Sequence, residues 1–270
     1  MDNFEALCLE IRERVQPIRR QIMGLSHRAK SAHAGSSLSC VEILACLFQL
    51  KYSPQPMVDK LILSKGHAAM ALYATAHSFG LLESKRLDEY LQNGTELWGH
   101  PSFHLKFPFI DWSTGSLGHG LPVATGFAYS AQNLHQNSKG LVAAILSDGE
   151  CNEGSTWETA LFAGHHKLKN LLAVIDYNKI QSFGRVSEVL ELEPFANKWK
   201  AFGWDVVEVN GHDIEILVRE MTSFASSASK PKCILAHTVK GKGILEIENT
   251  LESHYLPITS TQLDNYKNEK

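Results

Sequence analysis

The strongest constraint on this chain is a rhythm in its second half. Four short apolar runs, at 141–146, 171–175, 206–209 and 233–236, are separated by helix-patterned stretches at 155–168, 195–202 and 214–224. Runs that are apolar at every position suit strands covered on both faces. Alternation of such strands with helices leads to parallel neighbours joined by crossovers. The expected fold is therefore α/β, a doubly wound parallel sheet with helices on both faces. Ligands of open parallel sheets bind beyond the carboxyl ends of the strands. Those ends read Ser147-Asp148-Gly149, Asp176-Tyr177-Asn178, Asn210-Gly211-His212-Asp213 and His237-Thr238-Val239-Lys240-Gly241. They mark the expected active edge.

The first 50 residues read as helices. Phe4, Leu7, Ile11 and Val15 alternate with charged residues, and Pro17 is expected to break that helix and start another through Ile18, Ile22 and Leu25. Further helices are expected at 41–50, 68–79 and 84–92, with a short buried strand at 60–63. Residues 94–120 form a long stretch rich in His, Pro, Phe and Gly, and loops of that length are functional or disordered. The aromatics here argue against disorder. No repeat or linker interrupts the chain, so residues 1–270 are expected to form a single domain. A charge of −3 argues against a nucleic-acid footprint. No apolar run approaches the ~20 residues of a membrane helix. The 5 cysteines are scattered without a C-x-x-C pair, which points to a reducing, cytoplasmic setting rather than a disulfide framework.

Asp148 and Asn178 stand thirty positions apart at the ends of two expected neighbouring strands. A carboxylate and an amide oxygen suit a hard cation such as Mg²⁺. The alternative is that Asp148 caps the following helix. Glu150 and Glu153 follow within six residues, and such a cluster of carboxylates is costly without a cation or a buried proton. An EF-hand is excluded, because Glu153 stands at the required glycine position. His33, His67 and His100 each sit in a loop of small residues, suited either to ordinary capping or to a hydroxyl- or phosphate-bearing ligand. Thr114-Gly115-Ser116-Leu117-Gly118-His119-Gly120 would let a flat ligand approach the backbone, but it is not a dinucleotide fingerprint. Lys240-Gly241-Lys242-Gly243 is either a phosphate-facing basic loop or a solvated turn.

Together these motifs resemble the N-terminal, diphosphate-binding part of transketolases, in the split form in which two polypeptides share the enzyme. The match runs from about residue 18 to 254. It rests on Ser147-Asp148-Gly149 with Asn178, Leu63-Ser64-Lys65-Gly66-His67, Ser113-Thr114-Gly115-Ser116-Leu117-Gly118, Glu153-Gly154, Trp157-Glu158 and Thr238-Val239-Lys240-Gly241-Lys242-Gly243. The resemblance implies a thiamine-diphosphate-binding fold and the cofactors thiamine diphosphate and Mg²⁺, with Ca²⁺ or Mn²⁺ as substitutes. It implies that Asp148, Asn178 and the Ile180 carbonyl hold the metal. Gly149, His67 and Lys240 would approach the diphosphate, and Gly115 and Leu117 the aminopyrimidine. Glu153 would lie at a subunit interface. His33, His67, His100 and His254 would be the catalytic histidines, contacting sugar hydroxyls or diphosphate. Four departures stand out. Ser147 and Ala34 replace a Gly and a Pro, His119 replaces a Gln, and Tyr255 stands where the family usually has Gly.

The implied activity is transfer of a two-carbon ketol unit from a ketose to an aldose, with sugars or sugar phosphates as substrates and no nucleic acid or membrane partner. The implied partner is a C-terminal transketolase subunit bearing the pyrimidine-binding and C-terminal domains, in an α2β2 assembly. Residues 244–270 are too few for another α/β domain, so the chain alone is expected to be inactive, with apolar faces turned to the partner. Residues 101–111, with Phe103, Phe107, Phe109 and a single basic anchor, Lys106, are expected to line the substrate entrance. A non-catalytic scaffold of the same fold and a Mg²⁺-dependent phosphohydrolase stand as alternatives.

Overall fold

The computed structural model describes residues 3–103, 107–134 and 140–268. Five parallel strands form the main sheet: β1 (Val58–Leu63), β2 (Leu141–Ser147), β3 (Leu171–Tyr177) and, after a small hairpin of β4 (Ile180–Gln181) and β5 (Gly184–Arg185), β6 (Asp205–Asn210) and β7 (Lys232–His237). Their spatial order is β1-β2-β3-β7-β6. The chain thus lays three strands side by side, jumps to the far edge and returns to fill the gap.

Consecutive residues of the central strands feed two different cores, which is why those strands read as unbroken apolar runs. Ala143, Ile145, Leu172 and Val174 pack against the helices Asn3–Ala29, Val41–Tyr52, Ala69–Ser78 and Ile214–Ser227. Val142, Ala144, Leu146, Ala173 and Ile175 pack against Gly120–Asn133, Gly154–His165 and Phe195–Ala201. The doubly wound sheet expected from the sequence is the one observed. Among the described residues, no helix is long and apolar enough to cross a membrane.

Four local expectations fail for physical reasons. The first helix runs unbroken from Asn3 to Ala29 with Pro17 inside it. An interior proline costs about 3 kcal/mol. However, the buried stripe Cys8, Ile11, Val15, Ile18, Ile22, Leu25 keeps its helical spacing across Pro17, and burial of that stripe outweighs the lost bond. The 206–209 run lies in β6, the sheet edge, and is half-covered rather than buried on both faces. The helix at 84–92 closes early, at Ser84–Asp88, and Leu91 turns left-handed with its amide on the Leu97 carbonyl. In the 101–111 stretch, Phe107 and Phe109 are buried against one another in the core, and only Phe103 faces solvent. Lys106 lies outside the described residues.

At the carboxyl edge the register aligns Ser147 with Asp176 and Tyr177 with His237. The polar segments after β2, β3 and β7 therefore emerge side by side.

Candidate cofactor and metal site

A cavity of about 340 Å³ opens at that edge, lined by Asp148, Asn178 and Ile180, by His33, His67 and His254, and by Lys65 and Lys240. Asp148 takes the second of its two alternatives, the cap, and still lines the cavity. Its Oδ1 accepts from the Gly149 amide at 2.7 Å, a helix-start cap, and its Oδ2 accepts from the Lys179 amide at 2.6 Å, tying β2 to the end of β3. Burial, then the nearby Asp176, raise its pKa to about 6. A carboxylate that resists ionising while lining a cavity is suited to a cation that would hold it charged. The Asn178 Oδ1 and the Ile180 carbonyl add two neutral oxygens. The three donors are all hard oxygens and fit Mg²⁺, which takes one or two carboxylates and completes its shell with water and phosphate oxygens. In this structure Asn178 Oδ1 accepts from the Ile180 amide at 3.1 Å, and the Ile180 carbonyl accepts from Lys240 Nζ at 2.8 Å.

Beneath these donors lies a fully buried ion pair. Lys65 Nζ binds Asp176 and also donates to the Ser36 carbonyl at 2.9 Å. Asp176 further accepts from Ser39 Oγ at 2.5 Å, from Thr238 Oγ1, and from Asn178 Nδ2 at 3.4 Å. Burial opposes ionisation of both groups, but each holds the other charged: the Asp176 pKa is lowered and the Lys65 pKa raised. The pair joins four segments at the cavity floor. Among the described residues Lys240 forms no such ion pair. Burial, then the charge of Lys65, lower its pKa to about 8.

The histidines gather above. His33, His67 and His254 pack ring against ring, with centroids 4.8 Å, 5.5 Å and 5.9 Å apart. His33 adopts a left-handed backbone at φ 70° to start the Ala34–Ser39 helix, and its amide donates to the His254 carbonyl at 2.9 Å. A non-glycine residue in that region is strained and persists where surrounding contacts dictate it. Burial first, then the charges of Lys240, Lys65 and the other histidines, push the pKa of His33 to about 4, of His254 to about 3, and of His67 well below its ordinary value. Burial thus disfavours the charged form of all three rings. An uncharged imidazole offers one N–H donor and one acceptor nitrogen to a ligand.

The far side of the cavity is looser. Leu117 lines it, whereas His100 and Gly115 stand at its border against each other and outside its lining. Glu153 lines the rim and is exposed. The glycine loop is tied down by Glu150, whose carboxylate accepts from the Gly118 amide at 2.9 Å and from Ser64 Oγ. Gly118 has φ 78°, and a Cβ there would lie 2.7 Å from Glu153 Cβ, so no side chain fits. His119 is exposed, with Nδ1 near the Leu117 carbonyl. The departures at Ser147 and Tyr255 are also accounted for. Ser147 Oγ accepts from the Glu150 amide at 3.2 Å, and the Tyr255 hydroxyl donates to the Ser182 carbonyl at 2.5 Å, bracing the hairpin that overhangs the cavity.

Of the residues singled out from sequence, His33, His67, His254, Asp148, Gly149, Asn178, Ile180, Lys240, Leu117 and Glu153 share the cavity. Sequence reasoning missed the roles of Lys65, Asp176 and Glu150. The signal was available for Asp176, a charged residue inside an apolar strand, because such residues are almost never buried without a partner.

Comparison with known proteins agrees with this geometry. A family model described as "Transketolase, thiamine diphosphate binding domain" matches residues 11–269. An apulose-4-phosphate transketolase subunit of Phocaeicola vulgatus is 35% identical over 252 residues, covering 91% of this chain and 88% of the relative. The 6-deoxy-6-sulfo-D-fructose transketolase subunit SqwG of Clostridium sp. is 37% identical over 257 residues, covering 93% and 92%. The solved transketolase of Campylobacter jejuni superposes with a TM-score of 0.84 at 29% identity, covering 98% of this chain but 42% of that one. The chain thus spans most of the subunit-type relatives and about two fifths of the solved full-length enzyme. The chain belongs to the transketolase family, as a thiamine diphosphate-dependent N-terminal subunit.

Proposed function

We propose that this chain holds the metal and diphosphate end of thiamine diphosphate and, with a second subunit, transfers a two-carbon ketol unit from a ketose or ketose phosphate to an aldose. The observation that carries the reading is the convergence of three hard oxygen donors, two lysines and three imidazoles on one cavity at the β2/β3 edge. Asp148, Asn178 and the Ile180 carbonyl would hold Mg²⁺, and the same oxygens suit Ca²⁺ or Mn²⁺. Lys240, His67 and Gly149 face the diphosphate. Backbone groups of Gly115 and Leu117 meet the aminopyrimidine. When bound, the cofactor supplies the carbanion chemistry. The protein's part is to orient it, offset its negative charge, and accept and return protons at the sugar hydroxyls through His33, His100 and His254. Neutral rings can take such protons, and an anionic ligand beside them would raise their basicity.

The partner would carry the pyrimidine-binding and C-terminal domains, as two copies of each chain. Support comes from the relatives of similar length, which are named as subunits, and from exposed Glu153 at the cavity rim, positioned to meet a partner. Residues 1–270 act as one diphosphate-binding unit in this reading. A cytoplasmic location is supported by five cysteines that are all buried and unpaired. The test is reconstitution: the chain with cofactor, Mg²⁺ and a ketose donor should give no ketol transfer, and adding the partner at about one-to-one stoichiometry should restore it. Turnover by the chain alone would overturn the need for a partner. Tight cofactor binding with no turnover, in an assembly whose partner is competent with another N-terminal subunit, would favour a scaffold.

A further inference from the structure

The strand-end cluster Asn210-Gly211-His212-Asp213 takes no part in the cavity, yet His212 belongs to a buried relay that reaches it. Glu42, on the Val41–Tyr52 helix, uses one carboxylate oxygen for Arg19 Nη2 at 2.7 Å and the other for His212 Nδ1 at 3.1 Å. Arg19 and Glu42 are 3% and 5% exposed. The other nitrogen of His212, Nε2, accepts the Val239 amide at 2.9 Å. An amide only donates, so Nε2 is bare and Nδ1 carries the hydrogen, aimed at the carboxylate. Arg19 Nε donates to the Lys242 carbonyl at 3.0 Å. Gly243, at φ 97°, lies against the same arginine: a Cβ there would sit 2.9 Å from Arg19 Cδ. Burial opposes ionisation of Glu42, but His212 and Arg19 hold its pKa below the ordinary value.

The 238–243 loop is therefore gripped on both sides of Lys240, at the Val239 amide and at the Lys242 carbonyl. Between these grips the Gly241 amide donates to the Gly35 carbonyl at 3.0 Å. Lys240 is buried and reaches the Ile180 carbonyl at 2.8 Å and His254 Nδ1 at 3.2 Å. None of Arg19, Glu42 and His212 lines the cavity. We propose that Arg19, Glu42 and His212 are positioning residues that fix the 238–243 loop and thereby aim Lys240 into the cofactor cavity. This rests on Lys240 facing the diphosphate. Partners of this indirect kind are typically worth about 10–100-fold in affinity at metal sites.

The sharpest probe is Glu42→Gln. It keeps size but turns an amide donor toward His212 or Arg19. Facing that donor, His212 is driven to carry its hydrogen on Nε2, where it opposes the Val239 amide. The full-length chain is titrated calorimetrically with inorganic pyrophosphate plus Mg²⁺, and with thiamine diphosphate plus Mg²⁺. Hydrogen exchange at the Val239 amide is followed in the ligand-free chain. Glu42→Gln should lower both affinities by about 10-fold and accelerate Val239 exchange. In a Lys240→Met background it should cost no more than about 2-fold, because the group it positions is gone. Equal losses in both backgrounds, or unchanged Val239 protection, would overturn the inference. If Lys240→Met weakens binding and Glu42→Gln does not, the inference alone fails. If Lys240→Met itself binds as wild type, the assignment of Lys240 fails. His212→Asn removes the acceptor for Val239 while retaining a donor toward Glu42, and should give the same pattern if Glu42→Gln does not fold.

Discussion

The two sides of the cavity are built by opposite rules. On the β2/β3 side, Asp148, Asn178, Lys65 and Asp176 are buried, and hydrogen bonds from several segments of the chain hold them in place. On the opposite side, His100 and Glu153 are exposed and Gly115 is half-buried. The difference separates what this chain organises alone from what it presents outward. Charge that must be held against a metal and a diphosphate needs a preorganised, water-poor floor. Groups that meet sugars and a second subunit need access instead.

The largest expected effect lies on the buried side. Lys65→Met would leave Asp176 charged and unpaired in the core, a loss of about 3–5 kcal/mol of stability measurable by urea unfolding. Combining it with Asp176→Leu should recover most of that loss. If Lys65→Met alone unfolds like wild type, the floor is not held by this pair, and the contrast between the two sides weakens.

The histidines sharpen the contrast. His67→Ala should weaken thiamine diphosphate binding by ~1–3 kcal/mol, the cost of removing a buried polar partner. His100→Ala should leave that affinity unchanged and lower kcat/KM for sugars in the reconstituted enzyme. Equal loss of cofactor affinity in both variants would show that the sides are not divided this way.

The smallest effect concerns pH. Burial raises Glu150 to about 7, against the pull of Ser64 and the Gly118 and Ser147 groups. A carboxyl whose folded pKa is raised contributes stability fully below its unfolded pKa, and that contribution is lost as pH rises through the folded value. In the ligand-free chain, Glu150→Gln should therefore gain on wild type between pH 5 and pH 7, by at most ~1.4 kcal/mol per pH unit. Thermal unfolding across that range checks it. A gain that shrinks as pH rises would contradict the sign.

Much of this architecture is legible in the amino-acid order. The central strands announce themselves because both their faces are buried, and the Asp148–Asn178 pairing follows from one crossover between adjacent strands. The misreadings share a cause: local rules lost to tertiary packing. Pro17 sits in a helix whose apolar stripe continues past it, and Phe107 and Phe109 fill the core rather than a mouth. The Lys65–Asp176 pair, 111 positions apart, carries no spacing signal at all. The lowered histidine pKa values come first from burial, then from mutual proximity and two nearby lysines, none of which sequence order encodes.

The central claim is that the β2/β3 edge holds the metal and diphosphate. Calorimetric titration of the full-length chain with thiamine diphosphate, with and without Mg²⁺, for wild type and Asp148→Ala, tests it most directly. Wild type should bind saturably only when Mg²⁺ is present, and Asp148→Ala, titrated at a temperature where it is still folded, should lose that Mg²⁺-dependent binding. Wild-type affinity in a folded Asp148→Ala chain, or binding indifferent to Mg²⁺, would contradict the account.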